Sequence, residues 1–462
     1  MLKVAYLANE FPSPVEPYVG DEIAELRSRG VQVISGSVRT PGPRGEGLFP
    51  ENEPDVVLQS LTFGIFLRAA WLCLRRWRKL SGLIVRVICR GYEGPIVRIK
   101  ALLHTSLGAC YAVLLAEHEV DHIHAHHGYF GSWIAMTAAR LLNVGFSMTL
   151  HGSDLLVHAS YLDSKLENCS FCLTISEYNR RYIVEQYPQI DGKKIVVSRL
   201  GVEIPPSCRA AVPNSATRAL SLLSVGRLHA VKDHAFLIRS CAQLRTRGLD
   251  FECLIAGNGP ERSRLDSLIR RLGLERHVTL LGHVEHKQMD SLYGRADIVV
   301  LTSRSEGIPL VLMEAMAREK IVLAPAMTGI PELIFPGKNG FLYQPGSMGD
   351  FLAQVLLIQS LLQAEGKRDQ EFSLLFSLSK QLDWMRHAAR VQILHNHNRA
   401  KNLATFADLF IRRITPRTES ALHEDTVLQQ IQLPIQRNRG LPLRTDEIDE
   451  VAGTRSRAVL DV

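Results

Sequence analysis

Two cations follow the end of an apolar run. Leu222-Leu223-Ser224-Val225 leads into Gly226-Arg227-Leu228, and Lys232-Asp233 come soon after. If the run is a strand of an open parallel sheet, its C-terminal end is where ligands sit. Arg offers forked hydrogen bonds and Lys a point charge, so Arg227 and Lys232 can clamp a diphosphate. Two carboxylates form a second set. Glu306 opens the stretch Gly307-Ile308-Pro309-Leu310, and Glu314 stands further along it. A helix starting near Pro309 is implied, because Pro is tolerated in a first helical turn. Its N-terminus can face an anion. Carboxylates accept hydrogen bonds from paired hydroxyls, so Glu306 suits a sugar and Glu314 a ribose. By spacing alone, a solvated pair of helix-end glutamates is an equal reading.

The elements that must position these groups are short and apolar. Val31–Ile34, His122–Ala125, Ser147–Leu150, Cys172–Ile175 and Ile195–Val197 read as strands, after a first buried strand at the N-terminus. Leu222–Val225, Phe251–Ile255, Val278–Leu280, Ile298–Leu301 and Ile321–Ala324 continue the series, with helical patterns between many of them. Strands this apolar suit a parallel sheet covered on both faces. The alternation predicts a doubly wound α/β architecture. Residues 204–218 are rich in Pro, Ala, Ser and Asn and read as a linker. They divide a first unit, residues 1–203, from a second, residues 219–382. Residues 383–412 are helical in pattern, and residues 413–462 lack aromatic residues and read as a disordered tail.

Composition excludes several classes. The chain has 462 residues, 46% of them hydrophobic and 22% charged, which suits globular cores rather than disorder. There is no signal-peptide pattern, and Ala101–Ala116 falls short of a membrane span, so a cytoplasmic protein is expected. Cys169 and Cys172 lack a second ligand pair at zinc spacing and read as reduced, buried thiols. Residues 60–100 hold nine Lys or Arg against one acid, Glu93. Leu67, Ala70, Leu74 and Trp77 would line one side of a helix there, and Arg68, Arg75 and Lys79 another. Such a helix either settles on an anionic membrane surface or packs by its apolar stripe. No aromatic base-binding pattern accompanies the charge, so no nucleic-acid partner is expected.

Several motifs occur together and in order. They are Ser224-Val225-Gly226-Arg227, Lys232-Asp233, Ala256-Gly257-Asn258-Gly259-Pro260-Glu261, Ser303-x2-Glu306-Gly307, Glu314-Ala315-Met316-Ala317 and Gly329-Ile330-Pro331-Glu332-Leu333. This order resembles the GT-B glycosyltransferases of family 4, the group 1 retaining enzymes, most densely from Ala219 to Tyr343. His151-Gly152-Ser153-Asp154, Thr174-Ile175-Ser176-Glu177 and Arg199-Leu200-Gly201-Val202 match the family more loosely in the first half. Val19-Gly20 stands where the family often has paired glycines, and Ala326-Met327-Thr328 precedes Gly329 where a second glycine is common.

The resemblance implies two facing Rossmann-like domains with parallel sheets and an interdomain cleft. It implies transfer of a sugar from a nucleoside diphosphate donor, with retention, to a saccharide or lipid-linked acceptor. Donor contacts would come from Gly226, Arg227, Lys232, Gly257, Gly307, Ile308, Pro309, Leu310 and Glu314. His151, Arg227, Lys232 and Glu306 would act at the reacting sugar, and Gly20 would belong to an acceptor or phosphate loop. Residues 383–412 would cross back onto the first domain. Neither metal nor cofactor is expected: a histidine cluster beside a sugar site accounts for His122, His124, His126 and His127 without one. A GT-B epimerase and a non-catalytic GT-B scaffold remain as alternatives.

Overall fold

Lys-Val-Ala-Tyr-Leu-Ala, the first strand, buries its last five residues almost completely. A strand hidden on both faces belongs inside a parallel sheet covered by helices. The computed structural model shows two such sheets. It describes residues 1–13, 16–40, 54–59, 61–90, 93–206, 219–366 and 373–415. Most of the expected linker, residues 207–218, and nearly all of the expected tail, residues 416–462, lie outside the described residues.

The first half runs β1 (Lys3–Ala8), α1 (Pro17–Ser28), β2 (Gln32–Ser37), β3 (Val56–Val57), α2 (Phe63–Arg75), α3 (Trp77–Ile88) and α4 (Pro95–Leu115). It continues with β4 (His122–His126), α5 (Phe130–Leu142), β5 (Gly145–Leu150), α6 (Ser153–Leu156), α7 (Leu162–Asn168), β6 (Phe171–Thr174), α8 (Glu177–Gln186) and β7 (Ile195–Val197). The second half runs β8 (Leu220–Val225), α9 (His234–Thr246), β9 (Phe251–Ala256), α10 (Arg262–Arg271), β10 (Val278–Gly282) and α11 (His286–Arg295). Then come β11 (Ile298–Val300), α12 (Leu310–Ala317), β12 (Ile321–Pro325), α13 (Ile330–Leu333), β13 (Phe341–Tyr343), α14 (Met348–Gly366), α15 (Ser373–Asn396) and α16 (Arg399–Ile414).

The strand orders are β3-β2-β1-β4-β5-β6-β7 and β10-β9-β8-β11-β12-β13. All of these strand pairs are parallel. In each sheet the winding reverses once, between β1 and β4 and between β8 and β11. The loops after those strands therefore flank the crevices where open α/β sheets bind ligands. This is the GT-B arrangement that the motif order implies.

The segment 383–412 is not one unit. Residues up to Asn396 belong to α15, whose Leu382, Met385, Ala389 and Ile393 are buried in the cores of the second half. Only α16 reaches the first half, where Phe406, Ala407 and Phe410 pack with Val4, Tyr6, Phe171 and Leu173. The chain thus returns at His397–Arg399, later than the sequence pattern suggests. That pattern is helical throughout and carries no sign of which sheet each helix meets. At the return, the two passages between the halves pair with one another. Val202 N donates to the His397 carbonyl (2.9 Å), and Arg399 N donates to the Val202 carbonyl (3.0 Å). A Cβ on Gly201 would lie 2.6 Å from Arg399 N, so only glycine fits.

Gly201→Ala is expected to force these passages apart and to cost roughly 1–3 kcal/mol in urea unfolding. Gly349→Ala, where a Cβ meets nothing within 4 Å, is the matched control and should be neutral or slightly stabilising. Equal stability of the two variants would contradict the close fit.

Candidate active site

A cleft of about 550 Å³ is walled by loops from both halves. Gly226, Arg227, Lys232, Glu306, Gly307, Ile308, Pro309, Leu310 and Glu314 line the second-half side, and His151 the first-half side. Most of the residues singled out by sequence therefore meet at one place.

Two do not. Gly20 lies within α1, which starts at Pro17 rather than after a loop ending at Gly20. Proline sets the helical φ four residues early, at Pro17, and Glu16 and Tyr18 at the helix start line the cleft instead. Gly257 sits behind the wall. Its φ is 143°, and a Cβ there would lie 2.0 Å from the Gly226 carbonyl. Its part is to let the Gly226 loop pack, not to line the cleft.

The cationic wall is tightly braced. Thr302 Oγ1 donates to the carbonyls of Lys232 (3.1 Å) and Asp233 (3.2 Å). Asp233, in the left-handed region, caps α9 through Phe236 N (3.2 Å) and also pairs with Arg304 (2.6 Å). Lys232 Nζ and Ser303 Oγ both donate to Glu306 Oε1, at 2.5 and 2.6 Å. Lys232 and Glu306 are thus a direct pair, and a diphosphate oxygen reaching Lys232 would share it with Glu306. Thr328 Oγ1 donates to the Glu306 carbonyl (2.7 Å), which fixes the loop before α12. Pro309 is the N-cap of α12, one residue outside the helix. The first helical residues, Leu310 and Val311, line the cleft edge. Glu314 is held by the Tyr293 hydroxyl (2.7 Å).

The two walls touch through backbone. A Cβ on Gly307 would lie 2.5 Å from the His151 carbonyl, and one on Gly152 would lie 3.0 Å from Gly307 N. Asn179 Nδ2 donates to that same His151 carbonyl (2.8 Å). Nearby, Glu332 of α13 accepts from Glu177 N (2.9 Å) and from Tyr178 N at the start of α8. A carboxylate of one half thus caps a helix of the other, where the helix dipole favours it.

Behind His151 lies a buried polar chain. His151 Nε2 meets His126 Nε2 at 2.7 Å, His126 Nδ1 meets the Tyr6 hydroxyl at 3.2 Å, and Tyr6 bonds Glu22. Burial, offset in part by the Tyr6 hydrogen bond, raises the Glu22 carboxyl to about 8. Burial, reinforced by His127, lowers His151 to about 3. His127 is the charged member: burial opposes its charge, but Asp154 and Glu16 outweigh that and raise it to about 9. Asp154 is fixed by the N–H groups of Gly128 (2.9 Å), His151 (3.1 Å) and Gly152 (2.8 Å).

The chain has a direction. With Glu22 ionised, Tyr6 donates to it, His126 Nδ1–H donates to Tyr6, and His151 Nε2–H donates to His126. His151 Nδ1 is then an acceptor. With Glu22 protonated on the oxygen that faces Tyr6 the bonds run the other way, and His151 Nδ1–H becomes a donor. Ring nitrogens of His126, His127 and His151 lie within 4.8 Å of one another, a spacing that could suit a metal. The first and last spend their facing nitrogens on each other, however, and His127 is paired with carboxylates. His122 and His124 are tied to Ser147 (2.7 and 2.8 Å) inside the sheet. Glu22 was legible in principle. Val19, Glu22, Ile23 and Leu26 form one buried helical face, and an acid on such a face is a signal.

Two family models match the chain: "Glycosyltransferase Family 4" over residues 15–204 and "Glycosyl transferases group 1" over residues 211–371. The alpha-D-kanosaminyltransferase of Streptomyces kanamyceticus is 36% identical over 27% of this chain and 32% of its own length. The amylovoran biosynthesis glycosyltransferase of Erwinia amylovora is 33% identical over 39% of this chain and 48% of its own length. The chain thus spans less than half the length of these relatives. An Anabaena protein solved in complex with UDP superposes with a TM-score of 0.62 over 89% of this chain and 100% of its own, at 17% identity, a likeness of fold.

Between pH 6.5 and 8 the native state holds a proton on Glu22 that the unfolded chain has released, so the contribution of this group to stability falls as pH rises. His127, raised to about 9, adds a slope of the same sign. Glu22→Gln removes the first part only. In urea titrations the slope of stability against pH should be more negative for the wild type than for the variant, by up to about 1 kcal/mol per pH unit; parallel curves would contradict a protonated Glu22.

Proposed function

The chain belongs to the group 1, family 4 glycosyltransferases of GT-B fold, and on that premise we propose that it transfers a sugar from a nucleoside diphosphate donor to a lipid-linked saccharide, with retention, during polysaccharide assembly. The observation that carries this reading is the convergence of Arg227, Lys232, Glu306, the α12 N-terminus and Glu314 on one wall, with His151 facing them. Arg227, Lys232 and the helix N-terminus stabilise the charge that grows on the departing diphosphate. Glu314 holds the ribose. Glu306 and the Gly307 loop hold the donor sugar, and His151 orients it. The reading requires no metal, because cationic side chains meet the diphosphate, and no separate protein base, because the leaving phosphate can take the acceptor proton. The Erwinia relative's role in amylovoran biosynthesis and the UDP in the Anabaena structure support the polysaccharide context and a uridine donor.

The reading places the enzyme in the cytoplasm, on the inner face of a membrane. The predicted single helix over 67–79 is two helices, broken at Arg76. Leu67, Leu74 and Trp77 do not pack inward. They are 58%, 75% and 58% exposed, with Phe63 and Trp71 beside them. Ala69, Leu80, Leu83 and Val87 are the buried positions. Helix α4 is longer than the apolar stretch suggests. Its 21 residues suffice in length and composition to cross a membrane, but Ala101, Gly108, Ala109 and Ala112 are buried within the first half. An exposed apolar face studded with Arg68, Arg75, Arg78 and Lys79 suits an anionic lipid surface.

Thermal shift against UDP, GDP, ADP and their common sugars tests the donor site. One nucleotide family should stabilise the protein, and Arg227→Ala and Glu314→Ala should each weaken that binding about tenfold or more. A folded protein that responds to none of them would overturn the reading. Vesicle flotation tests the surface. Binding should need anionic lipid, fall with salt and be lost in Leu74→Glu/Trp77→Glu; flotation indifferent to all three would remove the membrane from the proposal.

A further inference from the structure

A second cavity, of about 290 Å³, opens in the first half between α4, the start of α5 and the segment before α7. It shares one wall residue with the cleft, Tyr129. The Tyr129 hydroxyl bonds Ser153 Oγ (2.5 Å), two residues from His151, so the cavity abuts the first-half wall of the candidate active site.

Its lining combines two kinds of surface. Phe130, Trp133 and Tyr161 give an aromatic bed, with Val97 and Ala101 across from it. The Trp133 indole N–H is already spent on Thr105 Oγ1 (2.9 Å), so the ring offers the cavity only apolar surface. Cations face this bed. Lys165 is 2% exposed, and its Nζ donates to the Gly128 (2.7 Å) and Tyr129 (3.1 Å) carbonyls. Lys100 stands exposed among the lining residues, and none of those residues is acidic. Burial and the charges of Lys165 and Lys100 keep His104 neutral, at about 4. Burial lowers Lys165 to about 7, so the exposed Lys100 is the main cation of the lining; an aromatic bed beside that charge selects an apolar group joined to an anion.

The cavity also borders an exposed apolar stripe on α4. On α4 the lining residues Val97, Lys100, Ala101 and His104 form one helical stripe. Ile96, Ile99 and Leu103 form the adjacent stripe and are 68%, 60% and 60% exposed. An amphiphile lying in a membrane against that outer stripe would pass Lys100 to enter the cavity, and from there reach Tyr129.

We infer that this cavity is the acceptor's lipid subsite: it takes the apolar stem next to the phosphate of a lipid-linked saccharide, with Lys100 meeting the phosphate and Phe130, Trp133 and Tyr161 the stem. This deepens the glycosyltransferase reading and rests on it. The sugar end then extends past Tyr129 toward His151, while the donor occupies the opposite wall.

Calorimetry with farnesyl phosphate, below its aggregation limit, tests the assignment on the full chain. The wild type should bind it, and should bind farnesol and inorganic phosphate at least tenfold more weakly. Ala101→Leu, which fills the cavity, and Lys100→Glu, an exposed change that spares the core, should each weaken binding at least fivefold. Both should keep wild-type thermal stabilisation by the nucleotide. Absence of farnesyl phosphate binding, equal binding of farnesol or phosphate, or wild-type affinity in both variants would overturn the subsite. If the nucleotide response is intact, the donor reading survives that result; if it too is absent, the broader reading fails.

Discussion

The structure turns on a contact that admits no side chain. Gly307 lies against the His151 carbonyl so closely that a Cβ would collide at 2.5 Å. Two domains with separate cores have little reason to hold one relative position unless backbone meets backbone. Here that contact brings the end of β5 against the start of α12. It thereby sets His151 opposite Glu306 and the helix N-terminus. Glu332 on the α8 N-terminus supports the same closure from the side, and the paired passages at Val202 and Arg399 support it from behind. The Gly307–His151 and Val202–Arg399 fastenings are backbone on both sides and insensitive to rotamer choice, while Glu332 offers its side chain to backbone N–H groups.

Much of this was readable in the sequence because the rules involved are local. Arg227 and Lys232 announce themselves by following an apolar strand, and Pro309 by marking the start of a helix that carries Glu314. The strands of the parallel sheets are legible because burial on both faces makes them almost uniformly apolar. The two-residue β3 is too short to carry such a pattern. Gly20 and Gly257 were assigned by analogy of position. Their actual surroundings depend on where α1 begins and on what packs behind the Gly226 loop, which spacing does not encode. Glu16, Tyr18 and Tyr129 reach the cleft only because the winding reverses between β1 and β4.

The basic segment shows a different limit. Periodicity drew one apolar stripe through Trp77 but could not show the break at Arg76 or which way the residues faced, because the buried and exposed faces of α2 and α3 are both apolar. Arg76 breaks the helix and its guanidinium turns to the Leu141 carbonyl, so the register shifts between α2 and α3. Tertiary contact, not composition, decided that Leu74 and Trp77 face outward.

The return of α16 has a consequence for how the protein is made. The strands of the first half all precede residue 198, yet its sheet is covered by Phe406 and Phe410. A ribosome therefore releases β1, β4 and β6 long before the helix that seals them exists. The second half, whose elements are contiguous up to α15, has all its parts before the first does. Order of synthesis and order of completion are thus inverted. The nascent first half must keep an apolar trough on β1 and β6 from other chains until the last helix arrives.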